Sequence, residues 1–332
     1  MSLMSRIFSL VSWSLDWMQV EVSTYCDASC VYCPRTVYSD AWINRQMQLD
    51  TYKKLLPVFK KTKQIYLQGW GEPFLNPDFF EMVRLAKQMD CYVGTTTNGM
   101  LIDELKARKI VSSGLDLITI PLASTDEKND TIRVGTNIEQ ILNNIQLINK
   151  AKEKAGSAYP KINIAYMLLA SHLESAKDLP KLLKGLGVNE VEIQTLDFVP
   201  TPLLEEESLL LCEGSSVAKY LDAMVKQAGE TGIGIHYRKR NVSGQFNWCT
   251  ENIQRALYIS SSGDVSPCVF SNIPLKHDKA LAYAYQPLTF GNVRDDKLLD
   301  IWCQKDYARF RRTFEVGQLV SQCQTCAMLD CK

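Results

Sequence analysis

Residues 18–33 read MQVEVSTYCDASCVYC, a run of β-forming residues that leads directly into three cysteines. The alternation of apolar and polar side chains over 18–25 predicts a strand. Cys26, Cys30 and Cys33 then occupy the segment that leaves this strand, with the spacing C-x3-C-x2-C. Thiols this close together on one loop predict a metal site rather than ordinary core packing.

The same alternation of strand and helix patterns continues to about residue 196. The strand candidates are 18–25, 63–68, 91–97, 115–121, 161–169 and 189–195. The helical candidates lie near 50–60, 77–89, 101–113, 136–155, 174–186 and 215–231. Six βα repeats predict an α/β fold with a parallel sheet, in the form of a partial (β/α)6 TIM-like barrel.

An unusual short sequence ends or follows each predicted strand. In chain order these are CDASCVYC, GWGEP, TTTNG, PLAST, LLASH and TLDF. The carboxyl ends of parallel strands lie at one edge of a barrel, and active-site residues come from the loops at that edge. The sequence therefore predicts one functional site there, next to the three cysteines.

The composition limits the class of protein. With 332 residues, 46% of them hydrophobic and 22% charged, the chain is typical of a globular protein with a sizeable core. Lys plus Arg and Asp plus Glu number 37 each, so a zero net charge favours no nucleic-acid partner. No apolar run reaches the roughly 18 residues that span a membrane, and residues 1–15 show no export signal with a cleavage site. We therefore expect a cytoplasmic location.

Changes in apolar periodicity and in cysteine content divide the chain into three predicted parts. These are an N-terminal amphipathic extension over 1–17, the barrel over 18–235 and a small cysteine-rich domain over 236–332. In the extension, apolar residues recur every three or four positions and continue to Leu15 and Met18, which predicts an amphipathic helix. Such a helix caps the bottom of a barrel or, as the alternative, lies on a membrane surface.

The number of cysteines in the first group indicates which metal they hold. Three thiolates can bind three irons of a four-iron cluster, which leaves the fourth iron open for a ligand. A zinc ion requires a fourth ligand nearby, and no Cys or His lies between Cys33 and Cys91. The first cysteine group therefore favours an iron–sulfur cluster over a structural zinc ion.

Further motifs carry a resemblance to a known family. With Tyr32 before its last cysteine, the first group resembles the signature of the radical S-adenosylmethionine (SAM) superfamily. The segment Gly71, Glu72 and Pro73 resembles the family's Gly-Gly-Glu-Pro loop, which holds the amino group of SAM. Thr97 and Asn98 lie in a segment similar to the end of its third strand. Arg133 lies in a segment, 129–135, that resembles the one in which an arginine approaches the SAM carboxylate.

The resemblance, which covers residues 18–235, implies a cofactor set and a reaction. A [4Fe-4S] cluster on Cys26, Cys30 and Cys33 would bind SAM at its open iron. In the family, one electron then cleaves SAM to methionine and a 5′-deoxyadenosyl radical. A low-potential electron donor, such as flavodoxin or ferredoxin, is therefore an implied partner.

One segment departs from the family pattern. Many relatives have Ser-Leu-Asp at the end of the fourth strand, where this chain has PLA at 121–123. Ser124 or Thr125 is a candidate for the missing hydroxyl. His172 and Gln194, near the ends of the fifth and sixth strands, are further candidates for the SAM site. The alternatives are a capping histidine and an ordinary polar residue at the barrel edge.

The tail holds a second cysteine group. Cys249 and Cys268 lie on one predicted hairpin, and Cys323 and Cys326 form C-x2-C. Four thiolates from two short segments predict a closed site for an iron–sulfur cluster, with a zinc ribbon as the alternative.

Along the chain, Cys249, Gly263 and Cys268 are followed by the C-x2-C pair. This order resembles that of the SPASM or the shortened twitch domains of radical SAM enzymes, which carry auxiliary [4Fe-4S] clusters. Leaving out Cys303, the tail offers five candidate ligand cysteines, which are too few for the two clusters of a full SPASM domain and imply one auxiliary cluster. Cys331 is then a spare thiol or an alternative ligand. Cys91, Cys212 and Cys303 have no ligand spacing and are predicted to be small core residues.

The auxiliary cluster implies a class of reaction. In the resembling enzymes it accepts an electron or binds the substrate, which suits oxidation or cross-linking of a peptide or protein side chain. A small metabolite or cofactor precursor is the alternative substrate. A non-enzymatic electron carrier is a third possibility, but it has no need of Glu72 or Arg133. The sequence names no catalytic acid or base.

Overall fold

The computed structural model describes residues 14–209, 211, 215–229, 232–239, 246–276, 287–324 and 326–331. Most of the predicted amphipathic helix, over 1–13, lies outside these residues. Of the helices among the described residues, none is both long enough and apolar enough to cross a membrane.

Seven strands before the tail pair in parallel and make up most of the main sheet. They are β1 (Leu15–Val20), β2 (Thr62–Leu67), β3 (Tyr92–Thr96), β4 (Leu117–Leu122), β5 (Lys161–Leu168), β6 (Glu190–Thr195) and β7 (Gly234–Tyr237). Each pairs in parallel with the next along the chain. The predicted α/β fold with a parallel sheet is confirmed, and all six predicted strands are present.

The tail adds four short strands. They are β8 (Phe246–Cys249), β9 (Ala256–Ile259), β10 (Val265–Ser266) and β11 (Leu329–Cys331). β9 pairs in parallel with β1, and β10 pairs antiparallel with β9, so the main sheet has the order β10-β9-β1-β2-β3-β4-β5-β6-β7. β8 and β11 form a separate antiparallel pair. The tail thus continues the barrel sheet at its β1 edge.

Helices connect the strands and continue through the tail. They are α1 (Pro34–Val37), α2 (Leu49–Lys53), α3 (Leu56–Phe59), α4 (Phe79–Lys87), α5 (Glu104–Ser112), α6 (Lys128–Ile132), α7 (Ile138–Ala155), α8 (Leu179–Leu183), α9 (Ser216–Ala228), α10 (Leu298–Cys303), α11 (Lys305–Glu315) and α12 (Ser321–Gln324).

The longest helix shows how local sequence forms these elements. The Asn137 side chain accepts a hydrogen bond from the Gln140 N–H at 2.9 Å and caps the start of α7. Gly156 ends the helix with φ of 61°, a conformation that glycine adopts without a steric penalty. Between them Ile141, Ile145 and Ile148 are fully buried. Their spacing places them on one face, which packs in the core shared with the sheet.

Three parts of the predicted secondary structure need correction. β1 begins at Leu15, so Leu15 and Met18 are fully buried strand residues and do not belong to a helix. Their three-residue spacing resembles a helix, but pairing with β2 and β9 forms a strand in which the two side chains are buried on opposite faces. The predicted domain boundary before residue 236 falls inside β7, a seventh parallel strand whose four residues carry no distinct pattern. The stretch 170–178, predicted in part as helix, is a distorted 3-10 segment.

Candidate active site

The 26–33 loop leaves the carboxyl end of β1 and reaches the barrel edge. Cys26, Cys30 and Cys33 are all partly exposed and line one open cavity of about 540 Å³. Arg35 holds the loop in shape, because its guanidinium donates to the carbonyl oxygens of Cys26 and Ala28. The loop ends where Pro34 begins α1, a position at which proline loses no helical hydrogen bond.

The three thiols are close enough to affect one another's ionisation. Burial, together with the neighbouring thiols of Cys30 and Cys26, raises the pKa of Cys33 to about 11. A positively charged iron centre removes this penalty by binding the thiolates. No three His, Cys, Asp or Glu side chains within the described ranges converge tightly enough for a single metal ion. Ligands of a four-iron cluster need not converge in that way, because each thiolate binds its own iron.

The 69–73 loop follows β2 and lies directly beside the 26–33 loop. A side-chain carbon on Gly71 would lie 2.5 Å from the carbonyl oxygens of both Ser23 and Tyr25, so only glycine allows this approach. The Glu72 N–H donates to the Tyr25 carbonyl oxygen at 2.7 Å. Pro73, which is buried, then begins a 3-10 turn over Pro73–Leu75. Gly71 and Glu72 both line the cavity, whereas Pro73 does not.

Glu72 joins the ends of two strands through its side chain. Its carboxylate is 2% exposed and accepts hydrogen bonds from the Phe74 N–H at 3.0 Å and the Thr97 hydroxyl at 2.8 Å. The Asn98 N–H also donates to this carboxylate at 2.8 Å. Burial disfavours the charged carboxylate more than these three hydrogen bonds stabilise it. The pKa of Glu72 is therefore raised to about 7, from an ordinary value of 4.5. The group is therefore poised for a cationic or hydrogen-donating ligand in the cavity.

The raised pKa of Glu72 has a consequence for stability. Between pH 4.5 and about 7 the folded chain binds more protons at this position than the unfolded chain does. Its contribution is therefore fully present below pH 4.5 and is lost as the pH rises through 7, by up to about 3 kcal/mol. Urea unfolding of the metal-free protein across this range, compared with Glu72→Gln, measures the difference. Parallel pH profiles for the two proteins would show that Glu72 ionises normally.

Asn98 connects the end of β3 to the cysteine loop. Its side-chain amide donates to the Asp27 carboxylate at 2.6 Å and lies 4.0 Å from the Cys26 sulfur. Thr97 and Asn98 are both buried and line the cavity. Asp27 was not predicted as a site residue, although its position directly after Cys26 was available as a signal.

Arg133 lies on the other side of the cysteine loop. It is 4% exposed, and its Nη1 donates to the Tyr32 hydroxyl at 2.7 Å. Burial raises the pKa of Tyr32, so the phenol stays neutral and cannot compensate the guanidinium charge. The Nε of Arg133 is buried without a hydrogen-bond partner among the described residues. A buried cation with an unused donor fits an anionic group, such as a carboxylate, bound in the cavity.

We expect Arg133→Ala to weaken SAM binding by about 1.5–3 kcal/mol, the usual loss for a hydrogen bond to a charged group. The measurement is the dissociation constant of SAM for the anaerobically reconstituted protein. Arg108→Ala is the matched control, because Arg108 lies on the exposed face of α5 and pairs with Glu104. If Arg133→Ala binds SAM as tightly as the wild-type protein, Arg133 does not contribute to SAM binding.

The remaining predicted SAM-site residues divide into two groups. Gln194, at the end of β6, lines the cavity. Ser124 does not, because it is fully buried and its hydroxyl donates to Asp126 at 2.7 Å. His172 does not line it either, since its imidazole lies in the 3-10 segment with Nδ1 2.7 Å from the Ser171 hydroxyl. The structure therefore does not place Ser124 or His172 where the sequence predicted them.

The tail cysteines gather next to the far end of the same cavity. Cys249 lies close enough to Cys268 and Cys326 for their charges to interact, and Cys323 is a similar neighbour of Cys326. Burial raises the pKa of the Cys249 and Cys268 thiols, so thiolates there require a compensating cation. None of the four lines the cavity itself. Residues beside them do, namely Thr250, Glu251, Val269, Phe270 and Met328.

The cysteines without ligand spacing have different surroundings. Cys91 is buried in the core, where its thiol donates to the Phe59 carbonyl oxygen at 3.3 Å, as predicted. Cys303 is exposed, which corrects its prediction as a core residue. It ends α10, whose buried face consists of Leu298, Ile301 and Trp302. Cys212 lies outside the described residues.

The sequence did not reveal an aromatic wall in the cavity. Trp70 lies 6.1 Å from Phe198 and 5.9 Å from Phe270, measured between ring centroids, and all three line the cavity. Trp70 could have been noticed, because it lies inside the predicted loop between two glycines. Phe198 and Phe270 come from distant segments, so only the tertiary structure brings them together.

Comparisons with known proteins agree with this geometry. The radical SAM superfamily model matches residues 20–164, and a model of the SPASM iron–sulfur cluster-binding domain matches residues 249–327. The chain is 23% identical over 322 residues to the tungsten-containing aldehyde ferredoxin oxidoreductase cofactor-modifying protein of Pyrococcus furiosus, covering 95% of this chain and 88% of that protein. It is 22% identical over 296 residues to the PqqA peptide cyclase of Granulibacter bethesdensis, covering 85% and 72%.

A solved structure shares the fold. Streptococcus suis SuiB bound to S-adenosylmethionine superposes with a TM-score of 0.67 at 16% identity, over 92% of this chain and 70% of SuiB. The two matched domains imply SAM and iron–sulfur clusters as cofactors. The chain is a radical SAM enzyme with a C-terminal SPASM-type iron–sulfur cluster-binding domain.

Proposed function

We propose that this enzyme removes a hydrogen atom from a peptide or protein side chain and then oxidises or cross-links that side chain. One observation carries the proposal: a single cavity extends from the first three cysteines to the residues that flank the tail cysteines. A substrate in this cavity meets both ends of the site at once. SAM on its cluster supplies the 5′-deoxyadenosyl radical that starts the reaction.

At the first end of the cavity, Cys26, Cys30 and Cys33 would hold the SAM-binding cluster. Glu72 and Asn98 would face the amino group of SAM, and Arg133 would pair with its carboxylate. Glu72 and Arg133 are both buried, and an ammonium bound beside Glu72 would favour its ionised form, so the two residues suit a zwitterion. The orphan Nε of Arg133 supplies the donor for this carboxylate.

At the second end, Cys249, Cys268, Cys323 and Cys326 would hold one auxiliary [4Fe-4S] cluster. The reaction breaks one substrate C–H bond, and the hydrogen atom leaves in 5′-deoxyadenosine. The auxiliary cluster would accept one further electron from the substrate, and one proton would pass to solvent or to a cavity carboxylate. The net change is a two-electron oxidation, completed by a new double bond or a cross-link. A low-potential donor such as flavodoxin or ferredoxin would supply the electron that cleaves SAM.

The relatives support two substrate classes. A peptide is favoured by the names of the PqqA peptide cyclase and of SuiB, which has also been solved with its precursor peptide SuiA. A small cofactor precursor is the second candidate. It is favoured by the cofactor-modifying protein of Pyrococcus furiosus, which matches this chain over most of both lengths. The cavity is open, so it does not itself exclude either class.

Deuterium transfer distinguishes the two candidates. The reconstituted enzyme is incubated anaerobically with SAM, dithionite and either perdeuterated peptides or a deuterated small-molecule extract. We expect deuterium in 5′-deoxyadenosine only in the peptide arm, and a matching unlabelled incubation should give a product that has lost two hydrogens. Transfer from the small-molecule fraction alone would replace the peptide proposal with the second candidate.

A further inference from the structure

A fully buried carboxylate lies between the two ends of the cavity without lining it. Glu21 directly follows β1 and is 0% exposed. Its Oε1 accepts a hydrogen bond from the Trp70 N–H at 3.1 Å. Its Oε2 accepts from the Ser261 N–H at 3.1 Å and from the Ser261 hydroxyl at 3.0 Å. One side chain therefore connects three separate segments.

Stability alone does not account for a carboxylate in this position. Burial raises the pKa of Glu21, and no basic side chain of the described ranges compensates its charge. Burying a carboxylate beside neutral donors costs more than packing an apolar side chain of similar volume. What Glu21 provides instead is directed hydrogen bonding, which fixes the relative position of its donors.

The two donors belong to segments that lead to different parts of the site. Trp70 lies in the 69–73 loop, next to Gly71 and Glu72. Ser261 lies in the turn of the tail hairpin (residues 256–266), which leads two residues later to Cys268. The Glu21 N–H also donates to the Ile259 carbonyl oxygen at 2.8 Å, which aligns this hairpin with β1. The Trp70 ring in turn contacts Phe270, so the loop and the tail also meet on the cavity side.

A glycine provides the space that this arrangement needs. A side-chain carbon on Gly69 would lie 2.3 Å from the Glu21 Cγ and 2.6 Å from its Cβ. Real atoms do not approach this closely, so any larger residue at 69 must displace the Glu21 side chain. A larger residue at position 69 should therefore disturb the same hydrogen bonds as a change at Glu21 itself.

We propose that Glu21 is a positioning residue, which clamps the 69–73 loop to the tail hairpin and so sets the spacing between the two ends of the cavity. The inference rests on the proposed function, in which the substrate gives a hydrogen atom at one end and an electron at the other. Glu21 touches neither the substrate nor a cofactor. It acts through Trp70 and Ser261.

Hydrogen–deuterium exchange of the metal-free protein tests the clamp directly. The variants are Glu21→Gln, which retains the shape but replaces one acceptor oxygen with a donor group, and Gly69→Ala. The control is Asp116→Asn, because the Asp116 carboxylate also accepts a backbone N–H, from Val93 at 2.7 Å, but at the opposite edge of the sheet. We expect amide exchange to rise about tenfold or more in both 69–74 and 259–266 in both test variants, but not in the control.

A second readout uses the reconstituted enzyme. We expect Glu21→Gln and Gly69→Ala to raise the ratio of 5′-deoxyadenosine to oxidised product, while Asp116→Asn leaves the ratio unchanged. The clamp proposal is overturned if amide exchange rises in only one of the segments 69–74 and 259–266. It is also overturned if exchange in both rises equally in Asp116→Asn. If both segments exchange faster but the ratio of 5′-deoxyadenosine to oxidised product stays unchanged, the positioning role of Glu21 is overturned. Failure of the proposed function shows separately, because the wild-type enzyme would then transfer no deuterium from peptide.

Discussion

We expect that replacing Cys26, Cys30 and Cys33 together with alanine abolishes the reductive cleavage of SAM to methionine and 5′-deoxyadenosine. The three thiols line the same cavity as Glu72 and Arg133, and in the proposed function they would hold the cluster to which SAM binds. Chromatography of the products after anaerobic incubation with SAM and dithionite measures the loss. This is the largest effect we expect from any substitution in the chain.

A cysteine outside both groups provides the control for this experiment. Cys303 is exposed at the end of α10, far from any predicted ligand in sequence, so Cys303→Ala should cleave SAM at the wild-type rate. Circular dichroism of the triple variant checks that the sheet is retained. Normal SAM cleavage by a folded triple variant would contradict the assignment of the first cluster, and with it the proposed function.

We expect that replacing Cys249, Cys268, Cys323 and Cys326 together with alanine stops product formation but leaves SAM cleavage in the absence of substrate. The first cysteine loop is braced by Arg35, Asn98 and the 69–73 loop, all of which lie within the barrel. Loss of the tail site therefore removes the electron acceptor and not the radical source. Iron content should fall from about eight to about four atoms per chain, since each [4Fe-4S] cluster contributes four.

Two outcomes would contradict this second prediction in different ways. Product formation at the wild-type rate would show that the auxiliary cluster has only a structural role. One zinc and no iron in the Cys26/Cys30/Cys33 variant would show that the tail is a zinc ribbon. Retained SAM cleavage is the internal control, because it requires that the barrel of the tail variant is folded.

The sequence by itself determined those features that depend on neighbouring residues. The C-x3-C-x2-C spacing predicted a metal loop, because three thiols so close together on one short segment are typical of a metal site. The helical pattern near 136–155 predicted α7, because helical periodicity is set within a few turns. Recurring strand and helix patterns likewise predicted the parallel sheet, and family motifs predicted which loops bind SAM.

Only the tertiary structure decided which distant segments meet. β9 is four residues long and carries no signal that it pairs with β1, far earlier in the chain, yet this pairing attaches the tail to the barrel. Glu21 looked like one polar residue in a strand and is the hydrogen-bond acceptor for two loops. Ser124 and His172 resembled site residues by position but point their polar groups at local partners. Long-range pairing and side-chain direction depend on the packing of the whole chain, whereas spacing and periodicity are local properties.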